Sequence, residues 1–473
     1  MAARTASLTT LARRASIATT WMLLVSPAFG QALPGFGMQQ QPSSFGETEP
    51  SGFGTPTPSA FRGQQPTSPG QQPPLALGIS VGAGETDNIF RVPTDTTNQT
   101  IADLGVDFAL KKQTLRLDTD ITGDFSYFDY LQNAYSNELV GRFDGLLRAA
   151  LIPERLLWVF QEDFGQEQVD PFAPVTPDNR QNVNYFATGP ELALHLGPNW
   201  FLHAGGRYAS ARYSNSPFDS NRGLGTLEVG RQLSPLSSLS LDATVAHIRF
   251  DNSQFPVLDQ YGTYLHYEIT GARTTVAVNL GGTKVDQGVN TTSGVLARLE
   301  VKRRLTPAAT LTLVAGRDLT NDADAFSNSR SGALGGITTA PAAQSASSYL
   351  SRYGSFIWSY ERVRTTVAVS GNWENDSYAQ QHALDVRREG VQINVQRRMT
   401  SLLSAQVFGS WYESDYSNVS FRDRDYSAGA ALGVRTGRRT EVQLRYDHFE
   451  RSVAGAAGYK ENRAFITAQY RFQ

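Results

Sequence analysis

The chain has no cysteine among its 473 residues, which removes disulfide scaffolds, Cys-type zinc sites and thiol nucleophiles together. Charge of one sign is also lacking. Lys and Arg number 42 against 44 Asp and Glu, for a net charge of −2, so there is no basic field of the kind nucleic-acid binding needs. Mean hydropathy is −0.33, and no stretch reaches the ~18 apolar residues of a membrane helix, which excludes a helical transmembrane bundle. None of the six histidines (His195, His203, His247, His266, His382 and His448) sits in His-x-x-x-His spacing or beside a Ser or Asp motif. No catalytic residue, metal or cofactor is therefore expected, and the chain reads as a non-enzyme. Glycine is plentiful at 42 residues, and aromatics reach 11%. Such a composition, polar on average, points to extended β structure.

Arg4, Arg13 and Arg14 precede an uncharged stretch, Ala15 to Gly30, whose apolar centre is Trp21-Met22-Leu23-Leu24-Val25 and whose end is small residues. Charged, apolar, then small is the order of a secretory signal peptide, expected over residues 1–30. Residues 31–74 hold 9 Pro, 7 Gly and 8 Gln in 44 positions. Such a segment buries too little surface to offset its chain entropy and reads as a disordered periplasmic tether.

Beyond residue 74 the pattern has period two. Leu117, Thr119, Ile121, Phe125 and Tyr127 alternate with Asp118, Asp120, Thr122, Asp124 and Ser126; Leu139, Gly141, Phe143 and Leu147 oppose Glu138, Arg142, Asp144 and Arg148. One face is apolar and the other freely charged, which is strand periodicity. The alternating stretches exceed the five or six residues of a typical soluble strand, and are long enough to cross a bilayer at a tilt. Short turns such as Lys111-Lys112, Gly197-Pro198-Asn199 and Gly271-Ala272-Arg273 recur between longer polar connections at 166–181, 214–220, 252–259 and, longest, 320–347. Short turns on one side and long loops on the other are the habit of an outer-membrane barrel, with the short turns periplasmic.

The fold class expected is therefore all-β: a transmembrane antiparallel up-and-down β-barrel of about 20 strands (18–20 by the turn count) over residues 75–473, in a bacterial outer membrane with both termini periplasmic. The last strand ends on Tyr470 and Phe472, an alternating aromatic terminus that barrel-assembly machinery would read, with Gln473 after it. Twenty strands ~4.8 Å apart and tilted ~40° give a backbone diameter of ~40 Å, hence a wide wet bore unless loops fold inward. The candidates for lining it are Arg116, Asp118, Asp120, Asp124, Glu138, Arg142, Asp144, Arg148, Tyr264, Arg298, Glu300, Phe408 and Tyr412. Phe128, Tyr130, Phe449 and Phe465 share the inner parity, where aromatic rings among polar groups would suit a sugar polymer or, equally, sit at the rim as interface girdle.

The Gly78-Ile79-Ser80-Val81-Gly82-Ala83-Gly84 opening, followed by Thr86-Asp87-Asn88-Ile89-Phe90, resembles the first strand of outer-membrane β-barrel proteins associated with exopolysaccharide export and PEP-CTERM/exosortase systems. That resemblance implies an exit conduit for an extracellular polysaccharide, with periplasmic export components and the polysaccharide chain as partners beside outer-membrane lipid. The alternative is a general or solute-selective diffusion porin with no secretion role. A wide, unplugged bore favours the first; inward folding of the 320–347 loop into an eyelet favours the second.

Overall fold

The computed structural model describes residues 75–330 and 345–472. The signal and tether segments expected over 1–74, and Gln473, lie outside the described residues. The strands, in chain order, are β1 (Leu75–Thr86), β2 (Gln99–Gln113), β3 (Leu117–Tyr130), β4 (Glu138–Ile152), β5 (Leu156–Gln168), β6 (Arg180–His195) and β7 (Trp200–Tyr213). They continue as β8 (Ser220–Ser234), β9 (Ser237–Phe250), β10 (Leu258–Thr270), β11 (Thr274–Gln287), β12 (Asn290–Thr306), β13 (Ala309–Thr320) and β14 (Tyr349–Arg362). The last six are β15 (Thr365–Tyr378), β16 (Val386–Arg398), β17 (Leu403–Tyr416), β18 (Phe421–Arg435), β19 (Thr440–Val453) and β20 (Ala456–Arg471).

Each strand pairs antiparallel with the next, and β1 pairs with β20 in the register Ser80↔Gln469 and Thr86↔Arg463. The β1–β20 pairing thus closes the sheet into a barrel of 20 strands, so no strand is an outermost one as in an open sheet. Parity decides what faces where. Leu241, Leu265 and Leu280 pair across β9, β10 and β11 on the outer face, each more than half exposed at 51%, 52% and 56%. A belt of such residues would be a large aggregation patch in water, but in a bilayer it is the lipid-facing surface, which makes this a transmembrane barrel of the outer-membrane type. The alternate parity points inward and carries most of the charge.

Connections at one end of the barrel span two to four residues, from 114–116 through 436–439. At the other end most are longer, the longest being 321–348, although 288–289 and 454–455 are two-residue turns there too. Both of those turns use a glycine in left-handed backbone, Gly288 at φ 61° and Gly455 at φ 75°, which a side chain would strain. The first hairpin at the short end departs from expectation. β2 continues through Lys111 and Lys112 to Gln113, and the turn is closed by Thr114, whose amide donates to Leu117 O at 2.8 Å and whose Oγ1 accepts from the Leu117 amide at 3.0 Å. Arg116, expected on the inner parity, consequently lies in that turn and is exposed.

Candidate functional site

The wall formed by β1 to β4 shows how local sequence builds the lumen. The inward positions of β1 are Gly78, Ser80, Gly82 and Gly84, and the carboxylates of β2 lie over them. A Cβ at Gly82 would stand 2.1 Å from Asp103 Oδ1, so the glycines of the opening motif make room for acids on the next strand. Asp118, Asp120 and Asp124 occupy the inner face of β3, and Glu138, Arg142, Asp144 and Arg148 that of β4. Arg148 reaches Asp118 at 3.3 Å, and Lys111 reaches Asp120 at 2.8 Å. Asp124 stands opposite Asp107 on one side and Arg142 on the other. Glu138 accepts from the Tyr130 hydroxyl at 2.5 Å and from Arg180 at 2.6 Å. Farther round, Tyr264 stands opposite Asp242, and Arg298 pairs with Glu300 at 3.3 Å.

The expected inner aromatics are packed into the wall rather than presented to the lumen. Phe408 and Tyr412 are only 8% and 6% exposed. Each ring lies against a glycine of a neighbouring strand: a Cβ at Gly429 would meet the Phe408 ring at 2.3 Å, and one at Gly390 the Tyr412 ring at 2.3 Å. Arg445 covers Phe408 at 4.7 Å from the ring centre, while Phe128, Tyr130 and Phe465 are buried with Ile89 and Ile101. Phe449 is flanked by the guanidiniums of Arg91 and Arg463. Rings held this way fill space between strands and leave few faces free to stack on a sugar.

The lumen is narrowed by its own loops, two of which fall in the long connections expected at 166–181 and 320–347, while where they dock could not be read from patterning. The 321–348 connection contains a helix, α1 (Asp322–Arg330), that leaves β13 and docks on the inner face of β5 to β8. Those strands are not sheet neighbours of β13, so the segment crosses the bore. Phe326, 4% exposed, and Ala323 join a buried cluster with Val183, Tyr185 and Ala187 of β6 and Ala209, Ala211 and Tyr213 of β7. Ser327 donates to Asp163 Oδ2 at 2.8 Å and accepts from Gln161 at 2.9 Å, while Arg222 bonds Asn321 Oδ1 at 3.0 Å and Asp324 at 2.6 Å. A local signal for this helix exists in Asn321-Asp322-Ala323-Asp324: Asn321 Oδ1 accepts from the Asp324 amide at 3.2 Å as an N-cap, and two acids occupy the first turn. Burial pushes the Asp322 carboxyl well above its ordinary range, and Glu167 adds to the rise, against the hydrogen bond from the Ser345 amide.

A second loop reaches the opposite wall. In residues 169–179, which join β5 to β6, Phe172 sits 4.9 Å from Tyr416 and 5.1 Å from Phe421, and Arg451 donates to Ala173 O at 2.8 Å. Arg91, in the 87–98 connection, donates to Val175 O at 2.7 Å and forms a fully buried ion pair with Glu461 at 2.9 Å. Its backbone is left-handed at φ 55°, a cost of roughly 1–2 kcal/mol for a residue with a side chain, which the buried pair holds in place. Among the described residues, no three His, Asp or Glu side chains are grouped to hold a metal ion.

No protein-family profile and no curated protein matches the chain. Among solved structures it is similar to the siderophore receptor PirA from Pseudomonas aeruginosa, at 11% identity over 85% of this chain and 81% of that one, with a TM-score of 0.43. It is similar also to the ferric enterobactin receptor PfeA of the same organism, at 10% identity over 85% and 82% with a TM-score of 0.46. The FrpB iron transporter from Neisseria meningitidis scores 0.42 at 11% identity over 84% and 81%. At such identities and scores the likeness carries nothing about this chain's ligand or activity.

Proposed function

We propose that the protein is a passive diffusion channel of the outer membrane, with its termini periplasmic and its selectivity set by loops folded into the bore. The observation that carries this reading is α1 crossing the lumen to seat Phe326 and Ser327 on β5 to β7. A conduit for a polysaccharide would require that segment and the 169–179 loop to move aside, and the aromatics that could have stacked on sugars are largely buried. Small hydrophilic solutes are the substrate class such a constriction admits. The β2 to β4 wall carries Asp103, Asp107, Asp118, Asp120, Asp124, Glu138 and Asp144 inward against Lys111, Arg142 and Arg148, so acids outnumber bases there and cations are preferred over anions. Tyr470, paired with Ile79 at the seam, and Phe472 beside it at 5.1 Å are proposed as the contact for barrel assembly.

Purified protein in a planar bilayer with a salt gradient tests the reading. The reversal potential should have the sign of a cation-preferring pore, and the Asp118, Asp120 and Asp124→Asn triple variant should move it toward zero. An anion-preferring reversal potential, or no conductance at all, refutes it.

A further inference from the structure

The ladder is broken where β13 should follow β12. Pairing between them begins at Ala297↔Arg317 and runs only toward the short-turn end, so the β12 edge from Asn290 to Leu296 has no strand partner on that side among the described residues. β13 itself continues to Thr320, paired with β14 alone through Leu319↔Leu350. Its upper end has bent inward: Leu319, with Leu350 against it, packs with Ile248, Leu258 and Val285 from the inner face of β9 to β11. The barrel wall therefore has a notch, opened outward as a cleft of about 550 Å³ bordered by Tyr261, Thr263, Lys284, Ser293, Val295 and Arg317.

The charge beside this notch is unusual for a lipid-facing surface. Arg317 and Arg352 lie directly opposite each other on the outward parity of β13 and β14, where like charges destabilise a sheet. Neither has a hydrogen-bonded or ionic partner among the described residues, and Arg317 Nε is shielded from water with nothing to donate to. Across the cleft, Lys284 is already held by Asp286 at 2.6 Å. Leu313 and Phe356, four residues nearer the membrane centre on the same two strands, are exposed at 42% and 38% and belong to the apolar belt. The paired guanidiniums thus stand at head-group depth. At that depth the unpaired β12 edge and the two guanidiniums border lipid head groups, whose polar oxygens are the partners within reach.

We propose that the notch is a binding site for the phosphate head group of a membrane lipid, which bridges Arg317 and Arg352 and caps the unpaired β12 edge. A phosphate offers several acceptor oxygens to two guanidinium forks, and its charge converts an opposed like-charge pair into a bridged one. The acyl chains would run down the outer wall beside Leu313 and Phe356.

Native mass spectrometry of detergent-purified protein tests this, with one added lipid at a time: a diphosphorylated glycolipid, phosphatidylglycerol, a neutral diacylglycerol, and separately inorganic phosphate. One phosphate-bearing lipid should be retained per barrel, and the Arg317→Gln/Arg352→Gln variant should lower retention by about tenfold or more, from the loss of two charge-assisted contacts. The Arg317→Lys/Arg352→Lys variant should fall between. The relative retention of glycolipid and phosphatidylglycerol identifies which supplies the phosphate. Equal retention of the neutral lipid, equal retention by the Gln variant in a barrel of unchanged conductance, or binding of inorganic phosphate as tight as that of the lipids would overturn the proposal.

Discussion

Replacing Phe326 with alanine tests whether the helix in the lumen sets the size of the pore. The ring is 4% exposed and lies in a buried cluster with side chains of β6 and β7 that stay in the sheet whether or not the loop is docked. Phe→Ala in a packed site costs about 3–5 kcal/mol, and this cost falls on the docked state of the loop. Because each 1.4 kcal/mol is tenfold in an equilibrium, even about 3 kcal/mol shifts the docked-to-free ratio by ~10². The remaining ties, Ser327 to Asp163 and Arg222 to Asn321 and Asp324, are hydrogen bonds that water replaces at small net cost. The expected result is a higher, noisier single-channel conductance, and entry into liposomes of larger sugars than the wild-type barrel admits. Phe326→Leu should stay close to wild type. Heat-modifiable gel migration checks that the barrel still folds. Wild-type conductance and size limit in a folded Phe326→Ala barrel would refute the reasoning, since the docked helix would then not be the constriction.

Acidification should tighten the same loop. Asp322 faces Glu167, Asp376, Arg388 and the Ser345 amide, and its carboxyl holds a proton above the ordinary range when docked. The free loop would ionise near ~4. Between those two values the docked state binds the extra proton, so docking is strongest at low pH and weakens as pH rises toward the docked value; conductance measured from pH 5 to 8 should increase, and Asp322→Asn should flatten that profile. Glu461 is shared by Arg91 and the equally buried Arg463, at 2.9 and 2.6 Å, so Glu461→Gln takes the common carboxylate from both, a loss of about 3–5 kcal/mol, read as a lower unfolding temperature on gels, whereas the Arg91→Met/Glu461→Met/Arg463→Met variant, which removes all three charges, should recover much of it. Gly82→Val should depress refolding yield through overpacking of about 1–3 kcal/mol, because its Cβ would meet Asp103 Oδ1 at 2.1 Å.

The period-two pattern was legible because a two-faced environment acts on every strand alike: Leu139 and Phe143 must meet lipid, while Arg142 and Asp144 must not. That local rule, together with the turn spacing, led to the closed antiparallel barrel of about 20 strands. It misplaced Arg116, since the register of a hairpin end depends on which residue closes the turn, and Thr114 closes this one. The helix α1 was hidden by composition: Asp322–Arg330 lacks an apolar stripe, and Ala323 and Phe326 are its members of the buried cluster, the other ties being polar. Its N-cap at Asn321 was the one sign available.

By itself the sequence determined the architecture, because alternation, strand length and turn spacing are properties each segment carries without reference to the others. Whether the bore stays open could not be read that way. The docking of Phe326 on Val183 and Ala211, of Phe172 on Tyr416, and of Arg91 on Glu461 joins positions far apart in the chain. The inward bend of β13 at Arg317 likewise depends on Leu319 finding Ile248 and Val285. Contacts of this kind exist only once the barrel has closed and brought opposite walls within reach, so the tertiary structure alone decided the constriction and the notch.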